Sequence, residues 1–249
     1  MAVSGTSKLL CVFAHPDDES YGPGGTIARC ALEGVEVALL MFTCGEAGTI
    51  GVSKEIPDDE LCRRRRGELA GACDALGIAR HRVLGVPDRG VASAGEEWAV
   101  AEIMREIRSF GPQVLLTFHH LGVSGHPDHI AVARYLAAAF DSVGGDGEPP
   151  LKLQEFGIDP EKAPLYRRPN LVPLKSEEID TVIDVPDEAM DRKIEAIRRH
   201  VTQYDAFLGM EQKFDYRSVT RPECFHLRKT RLPRSRGVEH SLFEGISTR

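Results

Sequence analysis

The tripeptide His-Pro-Asp occurs twice in this chain, and each copy is followed by further residues that can bind a metal ion or transfer a proton. The first copy lies in residues 15–19, HPDDE, and the second in residues 126–129, HPDH. Each follows an apolar run typical of a buried strand, at residues 9–13 and 114–118. Imidazole and carboxylate groups at two strand ends can converge on one point, where they would serve as metal ligands and acid–base groups.

The two segments together contain a three-ligand metal site. A catalytic zinc ion takes three protein ligands and keeps a fourth position for water, and His15, Asp18 and His129 are the candidates. His15 and Asp18 can reach one ion from a single strand-to-helix turn, and His129 lies one helical turn after His126. Two histidines and a carboxylate bind zinc well and also fit iron(II). Because zinc generates a nucleophile from water at neutral pH, the pattern predicts a metal-assisted hydrolase.

The remaining residues of the two segments fit the proton transfers of amide hydrolysis. This reaction needs a base for the water and an acid for the leaving amine. Asp17 adjoins a metal ligand and is the candidate base. His126 is the candidate for stabilising the oxyanion or donating the proton, with Asp128 holding it oriented and charged. For Glu19 we favour a buried structural or supporting role.

A simpler interpretation of one such segment is a turn in which proline sets φ and aspartate caps the next helix. Two copies at equivalent strand ends, one with a second carboxylate and one with a second histidine, disfavour it. The adjacent pair His119 and His120 ends a strand near the site, where contact with substrate and loop packing are equally compatible with the sequence.

The elements that must position these residues alternate between strand and helix up to residue 140. Strands are predicted at about 8–14, 35–43, 82–84 and 113–118, and helices at about 25–32, 57–77, 96–110 and 127–140. This alternation predicts an α/β fold with a mostly parallel sheet and helices on both faces. Ligands bind at the carboxyl ends of the strands in such folds, where both His-Pro-Asp segments fall.

The pattern weakens after residue 140. Residues 144–150, GGDGEPP, predict a flexible surface stretch leading into a pocket or lid insertion at about 141–178. A strand at 179–185, a helix at 186–204 and a further strand at 224–228 follow. Nothing indicates a second domain, so we expect residues 1–249 to form one.

Composition narrows the class of protein. The net charge of −7 argues against general nucleic-acid binding, and no segment approaches the roughly 18 apolar residues of a membrane span. The N-terminus lacks a secretory pattern. The six cysteines show no close-paired spacing, which predicts a cytoplasmic protein without disulfides or a thiolate zinc site. The sequence leaves the assembly state open, including a homo-oligomer.

These motifs resemble those of the LmbE-like (PIG-L) family of zinc-dependent N-deacetylases. Residues 14–19, AHPDDE, and 125–129, GHPDH, match the two signatures of that family. Weaker similarities are the RRGEL segment at 65–69, the LGVPD segment at 84–88 and the helix at 193–203 with His200 and Gln203.

The resemblance implies a Rossmann-like three-layer sandwich and a divalent metal, zinc in the first place, held by His15, Asp18 and His129. It implies that Asp17 is the general base and that His126, oriented by Asp128, stabilises the oxyanion or acts as the acid. It also places Arg65 and Asp88 at the substrate, an N-acetylglucosaminyl compound that would lose acetate and keep a free amine.

Three other functions compete with this one. The same metal site could cleave the amide of a larger conjugate, such as a thiol S-conjugate. A non-haem iron oxygenase could use the same ligands, although such triads normally lie in a β-barrel and no separate arginine for a cosubstrate is evident. A non-catalytic module that binds a sugar or nucleotide would leave the intact set of six site residues unexplained.

Overall fold

One sheet forms the centre of the molecule. The computed structural model describes residues 6–48, 56–145, 148–212 and 215–247. Within these ranges the strands are β1 (Lys8–Phe13), β2 (Glu36–Met41), β3 (Arg80–Val83), β4 (Val114–Phe118), β5 (Lys152–Gly157), β6 (Thr181–Ile183) and β7 (Glu223–Thr230). They form a seven-stranded sheet in the order β3-β2-β1-β4-β5-β7-β6. The first five strands of this order are parallel, whereas β7 is antiparallel to β5 and β6.

Helices cover both faces of this sheet. They are α1 (Asp18–Tyr21), α2 (Gly24–Leu32), α3 (Asp58–Leu76), α4 (Glu96–Phe110), α5 (Gly122–Gly125), α6 (Pro127–Ser142), α7 (Asp187–Arg199), α8 (Tyr204–Glu211) and α9 (Tyr216–Val219). Helices α2, α3 and α7 share one hydrophobic core with one face of the sheet, and α4 and α6 share a second core with the other face. The predicted α/β class with a mostly parallel sheet is confirmed.

The sequence of β1 shows why two cores form. Leu9, Cys11 and Phe13 point into the first core, and Leu10 and Val12 into the second. Since successive side chains of a strand point to opposite faces, a strand that is apolar at every position from Leu9 to Phe13 must be covered on both sides. The carboxyl end of β1 is therefore held rigidly just before residues 15–19.

Strand β5 lies inside the segment 141–178, where the sequence pattern indicated only an irregular insertion. The pattern missed it because three of its residues are polar and yet buried. Lys152 pairs with Glu239 at 2.7 Å, Gln154 contacts Thr181 at 3.3 Å, and Glu155 contacts the ring of a histidine after β4. Buried polar groups are tolerated when each has a partner, and these partners come from distant parts of the chain.

The expectation of a chain without disulfides is wrong. Cys44, after β2, is bonded to Cys62 in α3, and their Cα atoms are 5.1 Å apart. The two are 18 positions apart in the sequence, so the packing of α3 beside the end of β2 brings them together rather than a short spacing. The four other cysteines are free and buried. Among the described residues, no helix is long and apolar enough to cross a membrane.

Candidate active site

The potential ligand atoms of three side chains from the two His-Pro-Asp segments lie at nearly equal separations. His15 Nδ1 is 3.3 Å from His129 Nε2 and 3.5 Å from Asp18 Oδ2, and His129 Nε2 is 3.3 Å from Asp18 Oδ1. Around a tetrahedral zinc ion with bonds of about 2.0–2.1 Å, neighbouring ligand atoms are about 3.3 Å apart. The donor set and its spacing therefore fit one divalent cation.

Adjacent parallel strands bring these ligands together. His15 and Asp18 follow β1, and His129 lies in the first turn of α6, which follows β4. The His129 ring stacks on Phe118 with centroids 4.0 Å apart, and its Nδ1 is 3.2 Å from the Gly122 carbonyl oxygen. A ligating histidine usually donates its second N–H to such a group, so this contact leaves Nε2 of His129 for the ion.

His15 is held in the same way from its other side. Its Nε2 lies 3.2 Å from Asp88 Oδ1 and 3.3 Å from Asp128 Oδ2. A proton on Nε2 shared with these carboxylates makes Nδ1 the lone-pair nitrogen that faces Asp18 and His129. When Nδ1 binds a metal ion, the two carboxylates would therefore keep the remaining ring proton on Nε2.

The charge balance also favours a bound cation. Carboxylates surround His15: Asp18, Asp88 and Asp128. Burial lowers the pKa of His15, but hydrogen bonds with these three carboxylates outweigh it and raise the pKa to about 12. Burial acts to raise the pKa of Asp18, but the contacts with His129 and His15 outweigh this effect and bring the pKa well below its usual range. The site thus holds positive charge strongly.

Asp17 has an unusual backbone conformation next to the ligand Asp18. Its φ of 117° and ψ of −24° are rare for a residue other than glycine. Its backbone N–H donates to Glu19 Oε2 at 3.1 Å, and its carboxylate accepts from Arg65 at 3.1 Å. Such strain persists only where surrounding contacts impose it, and it is concentrated at functional sites.

Two buried groups impose this conformation. Glu19 pairs with His200 Nε2 at 2.7 Å, in keeping with the supporting role expected from the sequence. Arg65 donates to the carbonyl oxygens of Pro16 and Gly45 as well as to Asp17. A Cβ atom on Gly45, whose φ is +70°, would lie 2.2 Å from the guanidinium, so glycine is required there.

Burial also gives Asp17 the properties of a base. Burial raises the pKa of its carboxyl to about 6, with Arg65 opposing part of the rise. This carboxylate is a stronger proton acceptor than an ordinary aspartate while remaining ionised at neutral pH. Asp17 lines the same pocket as Asp18 and His129.

His126 caps α6, and its hydrogen bond differs from the expected one. Its Nδ1 accepts the backbone N–H of Asp128 at 3.2 Å, whereas the Asp128 carboxylate contacts His15 and accepts the Val91 N–H at 3.2 Å. Burial and the neighbouring rings of His129 and His15 lower the pKa of His126. The expectation that the Asp128 carboxylate keeps His126 charged is therefore corrected, because a neutral ring that accepts at Nδ1 carries its proton on Nε2.

Arg65 and Asp88, expected to hold substrate, have partners inside the protein. Arg65 is only 3% exposed and is turned toward Asp17. Asp88 contacts His15 with Oδ1 and accepts the Ala47 N–H with Oδ2 at 3.1 Å. Within the described ranges, neither residue is among those that line the pocket next to the metal site. Both side chains position other site residues.

The pocket next to the metal site has a cavity volume of about 220 Å³ and a mostly apolar wall. The wall includes several aromatic rings: Tyr21, Phe118, Phe156, Tyr166 and Tyr216. Arg168 and Gln203 add polar groups to it. An apolar cleft with a few polar groups is the usual form of a small-molecule site.

Comparison with known proteins agrees with this geometry. Residues 10–140 match the family described as GlcNAc-PI de-N-acetylase (PIG-L). This chain is also 33% identical to a 1D-myo-inositol 2-acetamido-2-deoxy-alpha-D-glucopyranoside deacetylase of Kribbella flavida, in an alignment that covers 96% of this chain and 98% of that protein. The chain belongs to the PIG-L family. The resemblance noted in the sequence is thereby confirmed, and the chain belongs to a family of deacetylases.

Solved structures of low sequence identity share the fold of this PIG-L protein. N,N'-diacetylchitobiose deacetylase from Pyrococcus horikoshii aligns with a TM-score of 0.62 and 21% identity over 89% of this chain and 82% of that one. The 4-carboxy-2-hydroxymuconate hydratase GalB of Pseudomonas putida aligns with a TM-score of 0.67 and 18% identity over 92% and 99%. Because the fold also carries a hydratase, function must be argued from the site.

The pocket wall is the part of this PIG-L site that motif reasoning missed. Phe156 comes from β5, Tyr166 from the 3-10 helix Ala163–Tyr166 and Tyr216 from α9, all far from either motif in the sequence. A signal did exist, because Phe and Tyr recur after residue 155 in a chain with only 6% aromatic residues. Their convergence depends on the pairing of β5 with β4 and β7, which the sequence pattern did not indicate.

Proposed function

We propose that this protein is a metal-dependent N-deacetylase that hydrolyses the acetamide of an N-acetylglucosaminyl compound and releases acetate and a free amine. The observation that carries the proposal is the convergence of His15, Asp18 and His129 ligand atoms within 3.5 Å of one another, beside the Asp17 carboxylate and at the edge of an apolar pocket. The deacetylase relatives support the same chemistry.

The metal ion would be held by His15, Asp18 and His129, with zinc as the first candidate and iron(II) as the second. When bound, a divalent ion acts as a Lewis acid that acidifies water and polarises a carbonyl group. Asp88 and Asp128 keep His15 in the ligating tautomer. They would raise the affinity of the site for the ion.

The protein residues account for the proton transfers. Asp17 accepts a proton from the attacking water, and Arg65 and the backbone contact with Glu19 hold its carboxylate in place. The Nε2–H of His126 donates a hydrogen bond to the carbonyl oxygen as negative charge develops on it. The proton on Asp17 then passes to the nitrogen of the leaving amine, so that one base serves both halves of the reaction.

The relatives suggest a first substrate. We propose 1D-myo-inositol 2-acetamido-2-deoxy-α-D-glucopyranoside, the compound in the name of the Kribbella flavida relative. An amide of a larger conjugate, such as a thiol S-conjugate, would use the same chemistry in the same pocket and is the second candidate. We keep a cytoplasmic location as a prediction from the sequence. The Cys44–Cys62 disulfide removes one argument for it, because that argument was the expected absence of disulfides.

The test is acetate release by purified protein loaded with zinc or iron(II). The inositol glycoside, N-acetylglucosamine, N,N'-diacetylchitobiose and an S-conjugate amide form the panel, with Asp17→Asn as the inactive control. We expect acetate and amine in equal amounts from at least one acetamido sugar. Release of no acetate from any acetamido sugar by the metal-loaded protein would overturn the proposal. Cleavage of the S-conjugate alone would select the second substrate.

A further inference from the structure

A second cluster of potential metal ligands lies beyond the carboxyl end of β4 and includes none of His15, Asp18 and His129. It consists of His119, His120 and Glu178, each of which offers one ligand atom within 4.8 Å of the others. We propose that this cluster is a second binding site for a divalent cation of zinc type. The proposed deacetylase chemistry does not use it.

His119 provides the main evidence. Its side chain is fully buried, and both Nδ1 and Nε2 lack a hydrogen-bond partner among the described residues. A buried polar group without a partner is rare in native proteins and calls for a ligand. Its Nε2 lies 3.8 Å from Glu178 Oε2, which is too long for a hydrogen bond and leaves the two atoms close enough to turn toward a shared ion.

His120 has a carboxylate partner on its ring, as metal-ligating histidines usually do. Its ring is 4.0 Å from that of His119, and its Nδ1 contacts the buried Glu155 carboxylate at 2.8 Å. A carboxylate on one ring nitrogen leaves the other to bind the ion and raises its basicity. This contact explains why β5 carries a fully buried glutamate. His120 and Glu178 are partly exposed, which gives an ion a route of entry.

The surroundings hold both signs of charge. Glu178 Oε2 also accepts the Lys175 backbone N–H at 2.9 Å, and Arg228 lies 3.6 Å from Glu155 Oε1. A third imidazole, that of His226, lies 6.1 Å from His119 between centroids. Two imidazoles and a carboxylate are a donor set that binds zinc in preference to magnesium or calcium.

An ion at this cluster would join two parts of the fold. His119 follows β4 directly, whereas Glu178 lies in the short 3-10 turn Ser176–Glu178 before β6. The residue before His119 is Phe118, whose ring stacks on His129 in the candidate active site. The second site would therefore stabilise the end of β4 that supports the pocket wall.

Zinc stoichiometry tests this inference without using catalysis. Full-length protein saturated with Zn²⁺ and freed of excess ion should hold two equivalents by elemental analysis. The His119→Asn/His120→Asn variant should hold one, and the control His81→Asn/His240→Asn, which removes two exposed imidazoles elsewhere, should hold two. The reciprocal variant His15→Asn/His129→Asn should keep one equivalent and lose it when combined with the first pair.

A milder variant keeps the test decisive if the buried substitution prevents folding. Glu178→Gln lies in a partly exposed turn and should weaken the second zinc equivalent at least tenfold in calorimetric titration, leaving the first unchanged. Wild-type protein that saturates with one equivalent would overturn the inference and leave a hydrated polar pocket only. Two equivalents in the His119→Asn/His120→Asn variant would overturn it as well.

Discussion

The two His-Pro-Asp segments share three letters, but the structure uses them differently. After Pro16 the chain turns sharply, so that Asp17 has a φ of 117° and borders the pocket. After His126 the chain continues from Pro127 into the 16-residue helix α6, and Asp128 is buried in its first turn. The conformation that follows each proline decides which side chain faces substrate and which faces the protein.

The electrostatics of the two segments differ accordingly. Burial raises the pKa of Asp17 to about 6. Burial also acts to raise the pKa of Asp128, but its contact with His15 outweighs this and lowers it. The two histidines differ in the same direction, because the pKa of His15 is raised and that of His126 is lowered. The role of each copy follows from its neighbours and not from the tripeptide.

The largest expected difference between the copies concerns the first residue of each. His15→Asn should abolish stoichiometric metal binding at the active site and reduce acetate release by roughly 10⁴-fold or more, because the ion supplies several kcal/mol of transition-state stabilisation. His126→Asn should keep one equivalent at the active site. Metal content and turnover measured on the same samples test this, and full metal binding by His15→Asn would contradict the assignment.

The third residue of each copy gives the next contrast. Asp17→Asn should lower kcat by about 10²- to 10⁴-fold at full metal occupancy, because the base is lost and the ligands are not. Asp128→Asn, measured at saturating metal, is the matched control and should retain most of kcat. Equal losses in the two variants would show that the copies do not divide base and positioning roles as proposed.

Sequence reasoning anticipated the arrangement of the candidate site where it depends on residues close together in the chain. His15 and Asp18 are three residues apart, and a buried strand before each motif fixes where it lies, so the convergence of the motifs follows from a parallel sheet. The boundaries of α4 were also predictable, because its apolar stripe begins after Gly95 and ends before Gly111, whose φ of +68° stops the helix.

Reasoning from patterns failed where a residue depends on distant partners. Strand β5 is hidden because Lys152 and Glu155 are buried against Glu239 and His120, which no local pattern reveals. The same limit applies to Asp128, whose carboxylate was expected on His126 but lies against His15. The side chains of neighbouring motif residues need not pair with each other once a helix begins between them.

The hydrogen bond on His126 allows a sharper test of its role. His126→Ala should lower kcat by about 10²- to 10³-fold, the usual effect of removing one oxyanion donor. His126→Gln, whose amide N–H can still donate, should recover part of that loss with little change in KM. If His126 instead acts as a proton donor, the glutamine variant will be as slow as the alanine variant, because an amide cannot give up its proton at neutral pH.

Among these variants, Asp128→Asn should show the smallest effect, and the quantity that it changes should be metal affinity and not kcat. Its carboxylate shares His15 Nε2 with Asp88, at 3.3 and 3.2 Å, so Asp128→Asn removes one of two negative partners and leaves the other. Metal affinity should fall by about 10- to 100-fold, the usual cost of losing such a partner, while kcat at saturating metal stays near that of the wild type. Titration with zinc at fixed substrate separates the two quantities.

Asp88→Asn should lower metal affinity similarly. If only one of the two variants lowered metal affinity, the hydrogen bond that fixes the His15 tautomer would belong to that carboxylate alone.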